Sequence, residues 1–267
     1  QGYDPHALSV PTAQQFIRQL VEQRPPLTSE SIEVGQALGR IVSQAITSPI
    51  DVPGHDNSAM DGYAFRGQDL TDQDTQQMVC VGHALAGQLW AGAPIQSSQC
   101  IRITTGAVMP PGLDTVVPTE FAKVNGDSVS WPTHLVNPGD HRRLAGEDIA
   151  QGGVALQKGT RLGPAELGLL ASLGIPKVQV QKKPKVAYFS TGDEILSLGQ
   201  PHREGAIYDS NRYTVMGMLE RLGCLPLDLG VVPDRPDAIE AAFAKAATQA
   251  DVIITSGGVS VGEADFT

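Results

Sequence analysis

From residue 185 onward the sequence alternates in a way few folds can accommodate. Residues 186–190 form a short apolar run that ends in Thr191-Gly192-Asp193-Glu194. Residues 211–222 place Val215, Met218, Leu219 and Leu222 at helical spacing, and residues 225–232 read as a second strand. Asp234 is positioned to cap a helix through residue 250, with Pro236 in its first turn and Ile239, Phe243 and Ala246 turned inward. Residues 252–256 make a third buried strand. Strand, helix, strand, helix, strand is the start of a parallel, doubly wound sheet, because a right-handed crossover needs the intervening helix. Ligands of such sheets sit beyond the carboxyl ends of the strands. Two polar loops leave those ends, at 190–194 and 256–265.

The preceding residues have another texture. Residues 11–24 carry Phe16, Ile17, Leu20 and Val21 on one helical face, with Thr12 as N-cap, and Pro25-Pro26 ends that helix. Residues 31–46 read as mixed short elements with Ala37, Leu38, Ile41 and Val42 inward. Between 51 and 137 short runs at 78–81, 100–104, 115–118 and 128–131 alternate with Gly, Pro and Asp turns, which predicts a small β-rich unit. A leucine-rich helix is expected over 161–173, stopped by Gly174.

Composition excludes several classes. The 267 residues carry a net charge of −10, whereas a duplex-binding protein needs a basic face to displace counterions, so no nucleic acid partner is expected. No apolar run is long enough to span a bilayer, so no membrane partner is expected either. Cys80, Cys100 and Cys224 are far apart and form no CxxC pair, which fits reduced thiols in a cytoplasmic protein. The six histidines show no zinc spacing, and neither a GxSxG elbow nor a GxxxxGK[ST] loop is present.

An acidic chain can still bind anions through local devices. Ser256-Gly257-Gly258-Val259-Ser260-Val261-Gly262 follows a buried strand, and its glycines allow backbone N–H groups to approach a phosphate. Glu263 and Asp265 beside such a nest make sense if a hard divalent cation bridges them to the anion. Ser190-Thr191-Gly192-Asp193-Glu194 reaches the same sheet edge; by itself it is an ordinary cap or turn. Asn57-Ser58-Ala59-Met60-Asp61-Gly62-Tyr63-Ala64-Phe65 reads as a capped turn into a strand, and Thr104-Thr105-Gly106-Ala107 as a strand-to-turn corner. Arg142-Arg143-Leu144-Ala145-Gly146-Glu147-Asp148 is either a self-neutralised surface or an Arg for an anion beside carboxylates for a metal; spacing does not decide.

Taken in order, these segments, with Asp51-Val52-Pro53-Gly54, Gly146-Glu147-Asp148-Ile149 and Ile207-Tyr208-Asp209-Ser210-Asn211, resemble the molybdopterin molybdenumtransferase family, which includes MoeA and the E domain of gephyrin. The resemblance implies a multidomain α/β plus β protein: residues 1–50 and 140–182 as one discontinuous elongated domain, 51–139 as an inserted β-rich domain, and 183–267 as an incomplete molybdopterin-binding α/β domain. It implies a transferase that takes molybdate and adenylylated molybdopterin, with Mg²⁺, and releases AMP. Asp61, Thr105, Asp148 and Glu194 would be catalytic. Arg143, Ser190, Thr191, Gly192, Ser256, Gly257, Gly258, Ser260 and Gly262 would bind substrate, and Asp193, Glu194 and Asp265 would hold metal. Asp234 also matches a functional family position, although capping suffices for it.

The implied partners are a second copy of the chain, with Asp61 and Thr105 facing the α/β domain of the other subunit, and the molybdopterin adenylyltransferase with other cofactor-synthesis proteins. The family continues beyond this sequence with a Pro-Gly-Lys-Pro loop and a β domain, so a piece of a longer protein is expected. Two rival readings are a non-enzymatic scaffold of the same family and a MogA-like adenylyltransferase, whose loop typically reads Gly-Gly-Thr-Gly.

Overall fold

The computed structural model describes residues 8–25 and 27–257. Gly258, Ser260, Gly262 and Asp265 therefore lie outside the described residues, as does the shared-cation pairing of Asp265 with Glu194. The chain divides into two compact units. One comprises Ala45–Lys158 with Gly168–Ile175; the other gathers the described residues up to Gln44, Gly159–Leu167, and those from Pro176 on.

The first unit is built on a six-stranded sheet, in the order Thr115–Pro118, Gly62–Phe65, Gln99–Ile103, Thr75–Ala84, Ser128–Pro132, Lys123–Asn125. All neighbours are antiparallel except Thr75–Ala84 and Gln99–Ile103, which run parallel and set Cys80 opposite Cys100. Strand residues alternate faces, so Tyr63 and Phe65 join a core with Met78, Cys100, Val129 and Trp131, while Ala64 joins Ile101, Ile103 and Val116 on the other side. Burial on both faces explains why the Gly62–Phe65 and Thr115–Pro118 strands carry no alternation in their sequence. Phe65 and Trp131 meet with ring centroids 5.0 Å apart.

The second unit holds the three-stranded parallel sheet expected from the sequence. Lys185–Thr191 is its central strand, with Leu225–Val232 on one side and Val252–Ser256 on the other. Phe189 packs edge-on against Phe243 of the Pro236–Gln249 helix, at 5.2 Å between centroids, in a cluster with Ile239 and Val232. Tyr188 and Ser190 project to the opposite face by strand alternation, where Ser190 meets Asp209 at the start of the Ser210–Arg221 helix. Helices thus cover both faces. Arg212 secures the second helix by donating from two nitrogens to one oxygen of Asp228, at 2.9 and 2.6 Å, on the neighbouring strand.

Several local expectations need correction. The N-cap of Val10–Glu22 is Ser9, whose hydroxyl accepts from the Thr12 N–H at 3.3 Å; Thr12 lies inside the helix. That helix buries no residue, and Phe16, Ile17, Leu20 and Val21 are all exposed. Leu38 is 61% exposed, because the Val34–Gln36 turn directs Ala37, not Leu38, into the core. Along Ser210–Arg221 only Leu219 is buried; Met218 and the C-capping Leu222 are exposed. Asp234 does not cap Pro236–Gln249: Arg235 occupies that position, without a side-chain bond, and the Asp234 N–H instead donates to Asp193 at 3.3 Å. The leucine-rich helix starts at Pro164, whose missing N–H is harmless in a first turn. The strands Ser29–Glu33 and Lys177–Gln181, paired antiparallel, carry no signal in the sequence reading.

Candidate functional site

Where the parallel strands end, a cavity of about 200 Å³ opens. It is lined by Ser190, Thr191, Glu194, Asp209, Ser256 and Gly257, with Tyr208 and Asn211 among the remaining contacts. Two strand ends and a helix start meet here for a definable reason. Gly257 has a backbone φ of +103°, and a Cβ there would lie 2.6 Å from the Thr191 carbonyl oxygen and 2.4 Å from its hydroxyl. Only glycine lets the loop after Val252–Ser256 close onto the loop after Lys185–Thr191. Gly192, at φ +144°, makes the adjoining bend possible, which sets Glu194 at the cavity.

Beneath the cavity lies a chain of hydroxyls. Tyr188 and Ser190 are buried, and the Tyr188 hydroxyl is 2.6 Å from Ser256 Oγ and 3.1 Å from Ser190 Oγ. Ser190 donates to Asp209 Oδ2 at 2.6 Å, and the other Asp209 oxygen accepts the Arg212 N–H at 3.0 Å, capping the helix.

Of the sequence-read residues, the sheet edge therefore unites Ser190, Thr191, Gly192, Glu194, Ser256 and Gly257. Asp193 is separate: it is exposed, does not line the cavity, and accepts from Asp234. Tyr188, Tyr208 and Asp209 were not read as site residues. Asp209-Ser210-Asn211 directly before an apolar helical pattern is an N-cap signal, and it would have found Asp209.

Whether the chemistry suits a hard divalent cation is decided by the donors. Glu194 with the Ser190, Thr191 and Ser256 hydroxyls is an all-oxygen set without sulfur or imidazole, which fits Mg²⁺. Among the described residues, no group of three or more His, Cys, Asp or Glu side chains is placed to hold a metal.

The remaining candidates lie in the other unit, in two clusters. Asp61 accepts both the N–H and the hydroxyl of Thr105 on one oxygen, at 2.6 and 2.9 Å. The backbone bond first, then the hydroxyl, holds its carboxyl below the usual aspartate range. Arg143 donates from one nitrogen to both oxygens of Asp148 at 2.8 Å and also pairs with Glu147. Its guanidinium is held above the ordinary range by Asp148 first and Glu147 second. Glu147 in turn is lowered by the Leu144 N–H and by Arg143. Arg143 is thus paired with both carboxylates of its own run.

A parallel sheet with helices on both faces and a polar cavity at its carboxyl edge is the arrangement of a doubly wound α/β domain, whose ligands sit at that edge. Comparison with known proteins is more specific. Residues 8–174 match the family described as MoeA N-terminal region (domain I and II), and residues 187–267 match one described as a probable molybdopterin binding domain. The chain belongs to the MoeA family.

It is 45% identical over 261 residues to the molybdopterin molybdenumtransferase of Haemophilus influenzae, covering 96% of this chain and 63% of that protein. It is 39% identical over 242 residues to the corresponding protein of a Nostoc species, covering 89% of this chain and 55% of that one. A crystal structure of a molybdopterin biosynthesis MoeA protein from Pyrococcus horikoshii OT3 superposes with a TM-score of 0.82 at 29% identity, over 91% of this chain and 65% of that one. The fold is thus MoeA-like, with mixed α/β content. The chain spans about 55 to 63% of the length of these two curated relatives. No helix among the described residues is long and apolar enough to cross a membrane.

Proposed function

We propose that the protein of which this chain is part is a molybdopterin molybdenumtransferase of molybdenum cofactor biosynthesis. Its substrates are adenylylated molybdopterin and molybdate, and its products are AMP and molybdenum held on the pterin dithiolene. The observation that carries this reading is the polar cavity at the carboxyl edge of the parallel sheet, inside the residues that match a probable molybdopterin binding domain. In support, relatives at 45 and 39% identity bear that name. A MogA-like adenylyltransferase leaves residues 8–174 unexplained, since these match the MoeA N-terminal region.

Both substrates are anions and the chain is acidic, so charge must be balanced locally. Mg²⁺, when bound, would screen the phosphate charge and polarise the scissile phosphoanhydride. Glu194, with Asp265 as a further candidate ligand, would hold it, whereas Asp193, which does not line the cavity, would act only by accepting the Asp234 N–H. Thr191, Gly192, Ser256 and Gly257 would orient the phosphate at the closed junction of the two loops, with Gly258, Ser260 and Gly262 extending the cradle. Glu194 would also take the proton of the attacking water. Asp61, Thr105 and Asp148 are assigned catalytic roles and Arg143 a binding role; the support is that Asp61 and Arg143 are each fixed by two or more hydrogen bonds. Action as a cytoplasmic homodimer, supplied by a molybdopterin adenylyltransferase, completes the proposal.

The test is AMP release. The full-length protein, given adenylylated molybdopterin, should release AMP only when both molybdate and Mg²⁺ are present. AMP production that ignores molybdate would reduce the protein to a hydrolase and overturn the proposal.

A further inference from the structure

Positive charge is unevenly spread over this acidic chain. Two adjoining grooves, of about 860 and 230 Å³, lie where the strands of the parallel sheet begin, at the end away from the cavity. They share Leu27 and residues 181–184. Between them they are lined by Arg24, Arg40, Arg161, Lys182, Lys183 and Lys185, six of the chain's 19 basic residues. Of its 29 acidic residues they are lined by one, Asp251.

The backbone fixes the segment that displays these cations. The Gln181 N–H donates to the Ile41 carbonyl and the Lys182 N–H to that of Thr28, each at 2.8 Å. The Pro184 carbonyl accepts the Leu225 N–H at 2.8 Å, and Lys185 and Asp251 are joined by two bonds of 2.8 Å. One of those spends the Asp251 carboxylate on the Lys185 N–H. Lys182, Lys183 and Lys185 themselves remain exposed. Arg40 is paired with Glu30, but among the described residues the other five cations have no ion pair. The carboxyl end of one helix borders each groove, at Gln249 and at Leu222. Such an end carries about half an elementary charge, which leaves most of the positive charge unanswered.

The larger groove also presents exposed Val21 and Val252, with Leu27 beside them. A ligand that matches both features needs negative charge and apolar side chains together. A nucleic acid backbone supplies only the first, and a long polyanion would be repelled by the rest of a chain of net charge −10. We propose that these grooves dock a peptide segment of a partner protein in which acidic residues alternate with apolar ones. The carboxylates would face Lys182, Lys183 and Lys185, and the apolar residues would seat on Val21, Leu27 and Val252. This surface is separate from the cavity and does not depend on the reaction proposed for it.

The test uses the full-length protein and a labelled short peptide alternating Glu and Leu, followed by fluorescence anisotropy. The wild type should bind it, and more weakly as salt rises. Replacing Glu by Gln, or Leu by Ser, in the peptide should weaken binding in either case. Lys182→Glu with Lys183→Glu should cost roughly tenfold in affinity, the scale of several exposed charge pairs turned from attraction to repulsion. Neither lysine side chain makes a hydrogen bond among the described residues, so the thermal midpoint should stay in place. If it falls, the neutral pair K182Q/K183Q carries the test, with a smaller loss expected. Equal binding by the variant overturns the proposal, and so does an absence of binding to the full-length protein, whose remaining residues would then cover the grooves. Three further outcomes also overturn it. A short DNA duplex that binds more tightly than the peptide would make this a nucleic-acid surface. Tripolyphosphate that binds as tightly as the peptide would make it a plain anion site. A dimer that the peptide splits, seen by light scattering, would make it an interface between copies.

Discussion

Thr105 presents both its backbone N–H and its hydroxyl to one oxygen of Asp61, at 2.6 and 2.9 Å, across 44 residues of sequence. The pairing joins the turn before the Gly62–Phe65 strand to the corner after Gln99–Ile103, two strands that are neighbours in the sheet. It fixes the carboxylate and favours its ionised form.

The titration of Asp61 should follow from those two bonds. Its folded-state pKa lies below the unfolded value, so the stability it contributes is present above the ordinary aspartate range and is lost as pH falls through the lowered value. Thr105→Ala removes the hydroxyl and keeps the backbone N–H, which is the larger cause. Carboxyl-carbon NMR should therefore show the T105A midpoint rising only part of the way back. A full return to the ordinary value would mean that the N–H contact does not persist in solution.

The loop junction at the cavity should be intolerant of a single methyl. In Gly257→Ala the new Cβ would meet the backbone of Thr191, in a conformation that L side chains seldom adopt. A loss of about 1–3 kcal/mol is expected from the backbone strain alone. Urea unfolding followed by fluorescence measures it, and an unchanged midpoint would show that the two loops do not close on each other.

How much of this was legible beforehand depends on what each residue's signal was made of. The parallel sheet could be read because Val186, Ala187 and Phe189 belong to an unbroken apolar run, bounded by turn residues and followed by a helical period. Phe189 and Ile239 fall in the core as that pattern requires. Caps were less legible, because several capable side chains can precede a helix and backbone geometry decides: Ser9 caps in place of Thr12, and Arg235 takes the position of Asp234 with no side-chain bond at all. Strands such as Lys177–Gln181 owe their pairing to a partner nearly 150 positions away, Ser29–Glu33, which no local window contains. Tyr188 was hidden by its own environment. Inside an apolar strand a tyrosine reads as core, and its hydroxyl's partners, Ser190 and Ser256, come together only in the fold.

The cysteines should separate by reactivity. Cys100 is buried, and desolvation first, then the neighbouring Cys80, push its thiol up to about 12. Cys80 and Cys224 are partly exposed. At neutral pH a thiol-specific reagent should label Cys100 only after unfolding, and the other two earlier. Because the folded-state value is raised, the stability held by the protonated thiol is complete below the unfolded value and is lost as pH climbs toward about 12. Labelling of native Cys100 at the rate of Cys80 would contradict its burial.

The central claim is that Glu194, which lines the cavity, serves adenylate cleavage that is coupled to molybdenum insertion in the proposed reaction. Glu194→Gln keeps the shape and removes the charge that would hold Mg²⁺ and take the water proton. The most direct measurement is single-turnover AMP release and protein-bound molybdenum, followed together in wild type and E194Q at saturating Mg²⁺. The wild type should yield AMP and inserted molybdenum in equal amounts. E194Q should slow both by roughly 10² or more, the scale of losing a general base, while adenylylated molybdopterin still binds. Wild-type rates of AMP release and insertion in E194Q would contradict the account.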